Sequence, residues 1–304
     1  VPVEPTDPLT DDDLHLALWT CYELHHHGFA GVDDDAEWST AVLAFRQRLE
    51  AAFEAALRAE HDPARLPEDP AVALRVVAAQ TGPPLATTIS DGSLHQLREF
   101  AIHRSAYQLK EADGHTWGLP RFAGPARSAM VQIQFDEYGS GVPGESHAEL
   151  FAAALRGLGL DDRFGAYVDR LPGSTLATDN LVELFGLNRR LRGALVGHLA
   201  LFEMTSVAAM SRYLGTARRH GGLEPLERFY EVHVEADVRH AELALEQMVL
   251  GVLTDQPELA DDVIFGAAAL ERVEARFARH ILRCWDLGRS SLLPTPDETA
   301  VLSA

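Results

Sequence analysis

Apolar positions recur with a period near 3.6 residues along most of the chain. Between residues 36 and 61 they fall at Trp38, Val42, Leu43, Phe45, Leu49, Phe53, Ala56 and Leu57, which lines one face of a helix. The same periodicity predicts helices over 11–28, 92–112, 123–138, 146–158, 174–186, 189–219, 223–252 and 258–287. An acidic first turn opens the first of these and Gly28 closes it, as the helix dipole and the preference for a terminal glycine require. Pro225 lies in the first turn of 223–252, where its missing N–H costs nothing. A proline-rich connector from Asp62 to Pro84 interrupts the pattern, with one short helical turn expected at Val72–Ala79. No segment sustains a period of two, and the only β-like run, Met130–Phe135, is short. The expected class is therefore an all-α helical bundle. No repeat or long linker divides it, so residues 1–304 are expected to form a single domain, with 1–90 a helical hairpin packed on a core at 92–287.

Composition narrows the partners. Twenty-six Lys plus Arg face 46 Asp plus Glu, a formal net charge of −20. A surface that acidic repels phosphate backbones and anionic lipid, so neither nucleic acid nor membrane is an expected partner; an Ala-rich, acidic host composition explains the charge equally well. The only cysteines, Cys21 and Cys284, form no CxxC pair and are expected as small core residues. The acidic N-terminus has no apolar h-region, and no uninterrupted apolar run approaches the roughly 18 residues of a membrane span. A cytoplasmic location is expected. HExxH, GxSxG, a P-loop and a strand-linked GxGxxG are absent, which leaves hydrolase, dinucleotide-binding and NTPase readings without support.

Three segments carry candidate chemistry. In His233-Val-Glu-Ala-Asp237-Val-Arg-His240, a helix places positions 233, 237 and 240 within about 60° of one another. Two imidazoles and a carboxylate beside a buried stripe are costly unless paired or metal-bound; the bland reading is a solvated face. In the second segment Glu137 ends one helix and His147 starts the next, joined by a Gly/Pro turn with Ser146 as N-cap. An ordinary helix–turn–helix link is its bland reading. The third is Glu203, alone in an apolar run, where a buried carboxylate needs a partner such as a metal, Thr205 or an Arg. Three His and three carboxylates without thiolate suit Fe or Mn. Two Fe(II) ions carry four positive charges, so a fourth carboxylate would neutralise the site. Glu111 is the best candidate and Asp113 the reserve. The paired Glu-x-x-His of ferritin-like bundles is matched once, at Glu23–His26.

The ordered blocks Tyr107-Gln-Leu-Lys-Glu-Ala-Asp-Gly-His-Thr-Trp117, Gln134-Phe-Asp-Glu-Tyr-Gly139, His147-x-x-Leu-Phe151, Glu203 and Phe229-Tyr-x-x-His-Val-x-x-Asp-x-x-His240 resemble the haem-oxygenase-like di-iron oxidases and oxygenases. Tyr22-Glu-Leu-His-x-x-Gly-Phe29 is similar to their first long helix. The resemblance spans roughly residues 14 to 250. It implies about seven core helices, two Fe ions with O2 as cosubstrate, and no haem. Glu137, His147, Glu203, His233, Asp237 and His240 fall on the family's metal ligands. Glu111 matches an extra carboxylate of members that oxygenate amine nitrogen, and is the one candidate catalytic residue. The implied activity is N-oxygenation of a small amine or amino acid to a hydroxylamine, nitroso or nitro product; the alternative is oxidation at carbon. Expected partners are that small-molecule amine, an external electron donor and a second copy of the chain in a homodimer. Tyr107, Trp117, Phe202 and Tyr138 flank the ligand blocks as candidate pocket walls.

Overall fold

The computed structural model describes residues 7–80, 82 and 84–294. Among them there is helix and no strand. The N-terminal part contains α1 (Asp12–Glu23), α2 (Thr40–Ala59), α3 (Pro70–Ala78) and α4 (Leu85–Asp91). The remainder contains α5 (Leu94–Gln108), the single turn α6 (Asp113–Thr116), α7 (Gly124–Glu137), α8 (His147–Gly157) and α9 (Gly173–Leu187). It closes with α10 (Arg192–His220), α11 (Glu224–Glu242), α12 (Leu250–Asp255) and α13 (Ala260–Asp286).

The all-α expectation holds, with several local differences. Helix α1 stops at Glu23, and His25–His27 form a turn that Gly28 closes at φ +62° by donating its N–H to the Glu23 carbonyl. Helix α4, directly after the proline-rich connector, falls outside every predicted helix. Met130–Phe135, the β-like run, is an interior piece of α7. The predicted 92–112 helix breaks after Gln108, where Ala112 adopts a left-handed φ of +79°. The predicted 223–252 helix is continuous but widens to i→i+5 hydrogen bonding over Leu243–Val249, a bulge type often found at functional sites.

Helices α10 and α13 form the centre. A Cβ on Gly197 would lie 1.8 Å from the Val263 carbonyl oxygen, and one on Gly266 would lie 2.0 Å from that of Ala194. Only glycine lets the two backbones approach this closely, and the contact anchors α10 below Glu203. By length and composition α10 is apolar enough to cross a membrane, so the sequence expectation of no such segment is amended; 67 % of its most apolar window is buried inside the fold. Leu18, Tyr22, Phe53, Leu57 and Leu74 of α1–α3 share one core cluster with Leu181, Phe185, Leu195 and Phe265 of α9, α10 and α13. Each such fully buried side chain contributes about 1.5–3 kcal/mol relative to exposure. Cys21 and Cys284 are buried and free, as expected.

Candidate metal centre

Local sequence aims each ligand-type side chain inward. Helix α7 ends at Glu137, and the chain reverses through Gly139, Ser140, Gly141 and Gly144, all at positive φ. A Cβ on Gly139 would sit 2.5 Å from Glu145 and Ser146 backbone atoms, so this turn closes only with glycine there. Ser146 then caps α8 in a reciprocal box with Glu149, which satisfies two of the helix's orphan donors. His147 is thereby fixed as the first residue of α8. His233, Asp237 and His240 project from one face of α11, and Glu203 from the middle of α10. The left-handed break at Ala112 leaves Glu111 facing the same place.

The side chains converge as two clusters with one member in common. Ligand atoms of Glu111, Glu137, His147 and His233 lie within 4.8 Å of one another, as do those of Glu137, Asp237 and His240. The two oxygens of Glu137 face opposite clusters: Oε2 is 2.7 Å from His147 Nδ1 and Oε1 is 3.4 Å from His240 Nδ1. Glu203 Oε2 lies 3.4 Å from the same His240 nitrogen, and Glu111 Oε2 lies 3.4 Å from His233 Nε2. All seven residues are at most 8 % exposed. Around them remains a void of about 10 Å3, room for no more than about one water.

The outward-facing nitrogens are already committed. His233 Nδ1 is 2.7 Å from the Phe229 carbonyl, and His240 Nε2 is 3.1 Å from Asp136 Oδ2. Such second partners fix the ring tautomer and leave the inner nitrogen as a lone-pair donor. The inner atoms, by contrast, are buried without a hydrogen-bond partner: Glu111 Oε2, His147 Nδ1, His233 Nε2, Asp237 Oδ2 and His240 Nδ1. Buried polar atoms are ordinarily satisfied; these five, gathered in two adjoining clusters of imidazole and carboxylate, fit a metal-binding arrangement. Four carboxylates also balance the charge of two divalent ions.

Electrostatics agree. Burial pushes the Glu203 carboxyl up to about 8, reinforced by Glu137 and Asp237 and only partly offset by His240. Burial likewise lifts Asp237 to about 6. Burial alone would lower the imidazoles, but Glu111 outweighs it at His233, raising it to about 10, and Glu137 and Glu203 raise His240 to about 11. Without metal, protons take the place of the missing positive charge.

Sequence reasoning placed all six principal candidates and Glu111 together, and the structure does so too. Asp113, the reserve, is elsewhere: its Oδ1 accepts from the Tyr138 hydroxyl at 2.6 Å. Of the aromatic candidates, Tyr107 and Phe202 line the void; Trp117 and Tyr138 do not, and Tyr138 is 44 % exposed. The cations nearest Glu111 in sequence are engaged elsewhere, Lys110 with Glu23, Asp179 and Glu183, and Arg104 with Glu274. Glu23 and His26 belong to that Lys110 network, since His26 Nε2 lies 2.9 Å from Glu183. Asp136 was missed; its position directly before Glu137, itself a candidate ligand, was the available signal.

A family model for iron-containing redox enzymes of the haem oxygenase type matches residues 98–275, a span containing every residue of both clusters. Nitrosourea synthase of Streptomyces achromogenes subsp. streptozoticus is 28 % identical over 141 residues, 46 % of this chain and 30 % of that protein. The match thus spans under a third of that relative's length. Two crystal structures of a CADD-like protein of unknown function from Nostoc punctiforme share the fold, at 17 % identity and TM-scores of 0.55 and 0.52; each covers 68 % of this chain and 92 % or 90 % of the other. With the helical fold, the buried His/carboxylate clusters and the family match in agreement, the chain belongs to the haem-oxygenase-like family of iron-containing redox enzymes.

Proposed function

We propose that this protein is a non-haem di-iron oxygenase that uses O2 to oxidise the nitrogen of a small amine or amino acid. The observation that carries the reading is the pair of clusters joined by Glu137, each gathering orphaned ligand atoms of imidazole and carboxylate. Glu111, Glu137, His147 and His233 would hold one iron; Glu137, Glu203, Asp237 and His240 would hold the other. The bound ions supply the electrons that activate O2. One oxygen atom is inserted into an N–H bond to give a hydroxylamine, and the other leaves as water with two electrons and two protons from an external donor. The chain's residues do the rest. Asp136 and the Phe229 carbonyl hold the imidazoles in orientation, and Tyr107 and Phe202 keep bulk water from the ligands. Nitrogen rather than carbon is favoured by Glu111 inside the first cluster and by the similarity to nitrosourea synthase, whose name denotes an N-nitroso product.

The test is anaerobic loading with Fe(II), then exposure to 18O2 with a panel of amines and amino acids. Mass spectrometry should find 18O on nitrogen. A product oxidised only at carbon would move the reading to the runner-up, a di-iron oxidase that desaturates, cleaves or decarboxylates an aliphatic or amino-acid substrate.

A further inference from the structure

A second cavity of about 310 Å3 lies beside the metal centre, at the small end of the range for small-molecule sites. Tyr107 and Phe202 line both this cavity and the void among the ligands, with ring centroids 5.3 Å apart. They form the partition between the two spaces. Gln80, Gly82 and Thr205, all exposed, mark the cavity's rim. Its wall is largely apolar, with Phe100, Leu201, Met210 and Ala278 prominent.

Three side chains of charged type stand in that wall: Arg104, Glu271 and Glu274. Both ends of the Arg104 fork are closed on Glu274, at 2.8 and 2.7 Å. The same guanidinium lies 4.4 Å from the Phe277 ring centroid and 5.5 Å from that of Phe100. A bidentate, ring-stacked pair is not a free receptor for a carboxylate, because an incoming anion would have to displace Glu274. Glu271 has no cation within ion-pair distance among the described residues, so the wall carries one net negative charge. The remaining polar atoms include the hydroxyls of Tyr107, Tyr213 and Tyr230. Burial raises all three above the usual phenol range, Tyr213 to about 12, so they face the cavity as neutral groups.

We propose that this cavity is the substrate site and that it selects an apolar-bodied primary amine lacking a carboxylate, its nitrogen directed through the Tyr107–Phe202 partition toward Glu203 and Asp237. The assignment rests on the oxygenase reading above for its purpose, though not for its binding chemistry. The wall's net negative charge attracts an ammonium. It repels a carboxylate, and the one cation that could answer it is already taken.

Calorimetric titration of the anaerobic Fe(II)-loaded protein, and of the metal-free protein, with phenethylamine, phenylalanine and 3-phenylpropionate tests this directly. Phenethylamine should bind in both states, phenylalanine at least about tenfold more weakly, and phenylpropionate weaker still. Ala209→Trp, on a partly exposed helical position in the wall, should abolish binding. Glu271→Gln, at a half-buried site that threatens no fold, should weaken phenethylamine about threefold and narrow its lead over phenylalanine. Phenylalanine binding as tightly as the amine, no amine binding in either state, or an affinity untouched by Ala209→Trp would each overturn the assignment. Selective amine binding with no nitrogen oxidation would instead count against the oxygenase reading and leave the cavity assignment standing.

Discussion

Lys110 and Glu111 are neighbours in sequence and equally buried, each 4 % exposed, yet they belong to polar clusters of opposite character. Lys110 supplies the cation for Glu23, Asp179 and Glu183, with Asp179 Oδ2 at 3.1 Å and Glu183 Oε1 at 3.2 Å. Burial would lower its ammonium, but Asp179, Glu183 and Glu23 together hold it well above the usual lysine value. That network carries its own positive charge. Across the Ala112 break, Glu111 joins three other carboxylates and three imidazoles, and no Lys or Arg forms an ion pair with any of the four carboxylates among the described residues. A buried anionic cluster built around a lysine brings its cation, although both Asp179 oxygens there also lack a hydrogen bond; one whose carboxylates meet only imidazoles suits an external cation. The difference lies in where the positive charge comes from, and each cluster should respond to its removal accordingly.

The largest effect is expected on the Lys110 side. Lys110→Met leaves three buried carboxylates with only His26 and the more exposed His27 as partners and should cost about 3–5 kcal/mol in urea unfolding. The loss should be equal with and without iron; a loss that vanishes on adding iron would merge the two clusters and break the comparison. The next effect belongs to the metal centre. Fe(II) at about 100 times its Kd should add about 2.7 kcal/mol of stability. On iron removal, hydrogen exchange should quicken across Glu224–Glu242, while Gly173–Leu187, which carries Asp179 and Glu183, should keep its protection.

The benefit of metal should also grow with pH. Asp237 and Glu203 have folded values of about 6 and 8, above their ordinary 3.8 and 4.5. Protons bound there stabilise the metal-free fold at low pH, and this contribution is lost as pH rises through those values. Iron must displace the same protons, so its affinity should rise over that window, with proton release measurable by calorimetry in buffers of different ionisation enthalpy. The smallest effect is expected at Asp136. Asp136→Asn should weaken metal binding about tenfold or somewhat more, through the loosened orientation of His240, with little change in the metal-free fold. An unchanged affinity would remove Asp136 from the account.

Much of the candidate site was legible because its ligand-type side chains come in short blocks. Three of them share one helical face, and Glu137 and His147 flank a glycine turn capped by Ser146; periodicity and capping rules read both. Glu111 could be proposed from charge balance and family resemblance, but its orientation depends on Ala112 at positive φ, a conformation that alanine rarely adopts and no motif announces. The Lys110 network was illegible for another reason. Its partners Asp179, Glu183 and Glu23 lie 69, 73 and 87 residues away in the chain, and side-chain pairing over such separations leaves no local pattern. Helix α4 was obscured by the prolines before it, and the second cavity is lined from six separate helices, α3, α4, α5, α10, α11 and α13.

An anaerobic Fe(II) titration with elemental analysis, on the wild type and on Glu111→Ala, tests the central claim most directly. The shared-carboxylate arrangement predicts two irons per chain in the wild type. In Glu111→Ala the fold should remain intact, with one iron site weakened and nitrogen oxidation lost or diverted. One tightly held zinc and no iron in the wild type would contradict the di-iron assignment. Full iron loading and unchanged turnover in Glu111→Ala would remove Glu111 from the ligand set, and with it the main support for nitrogen as the atom oxidised.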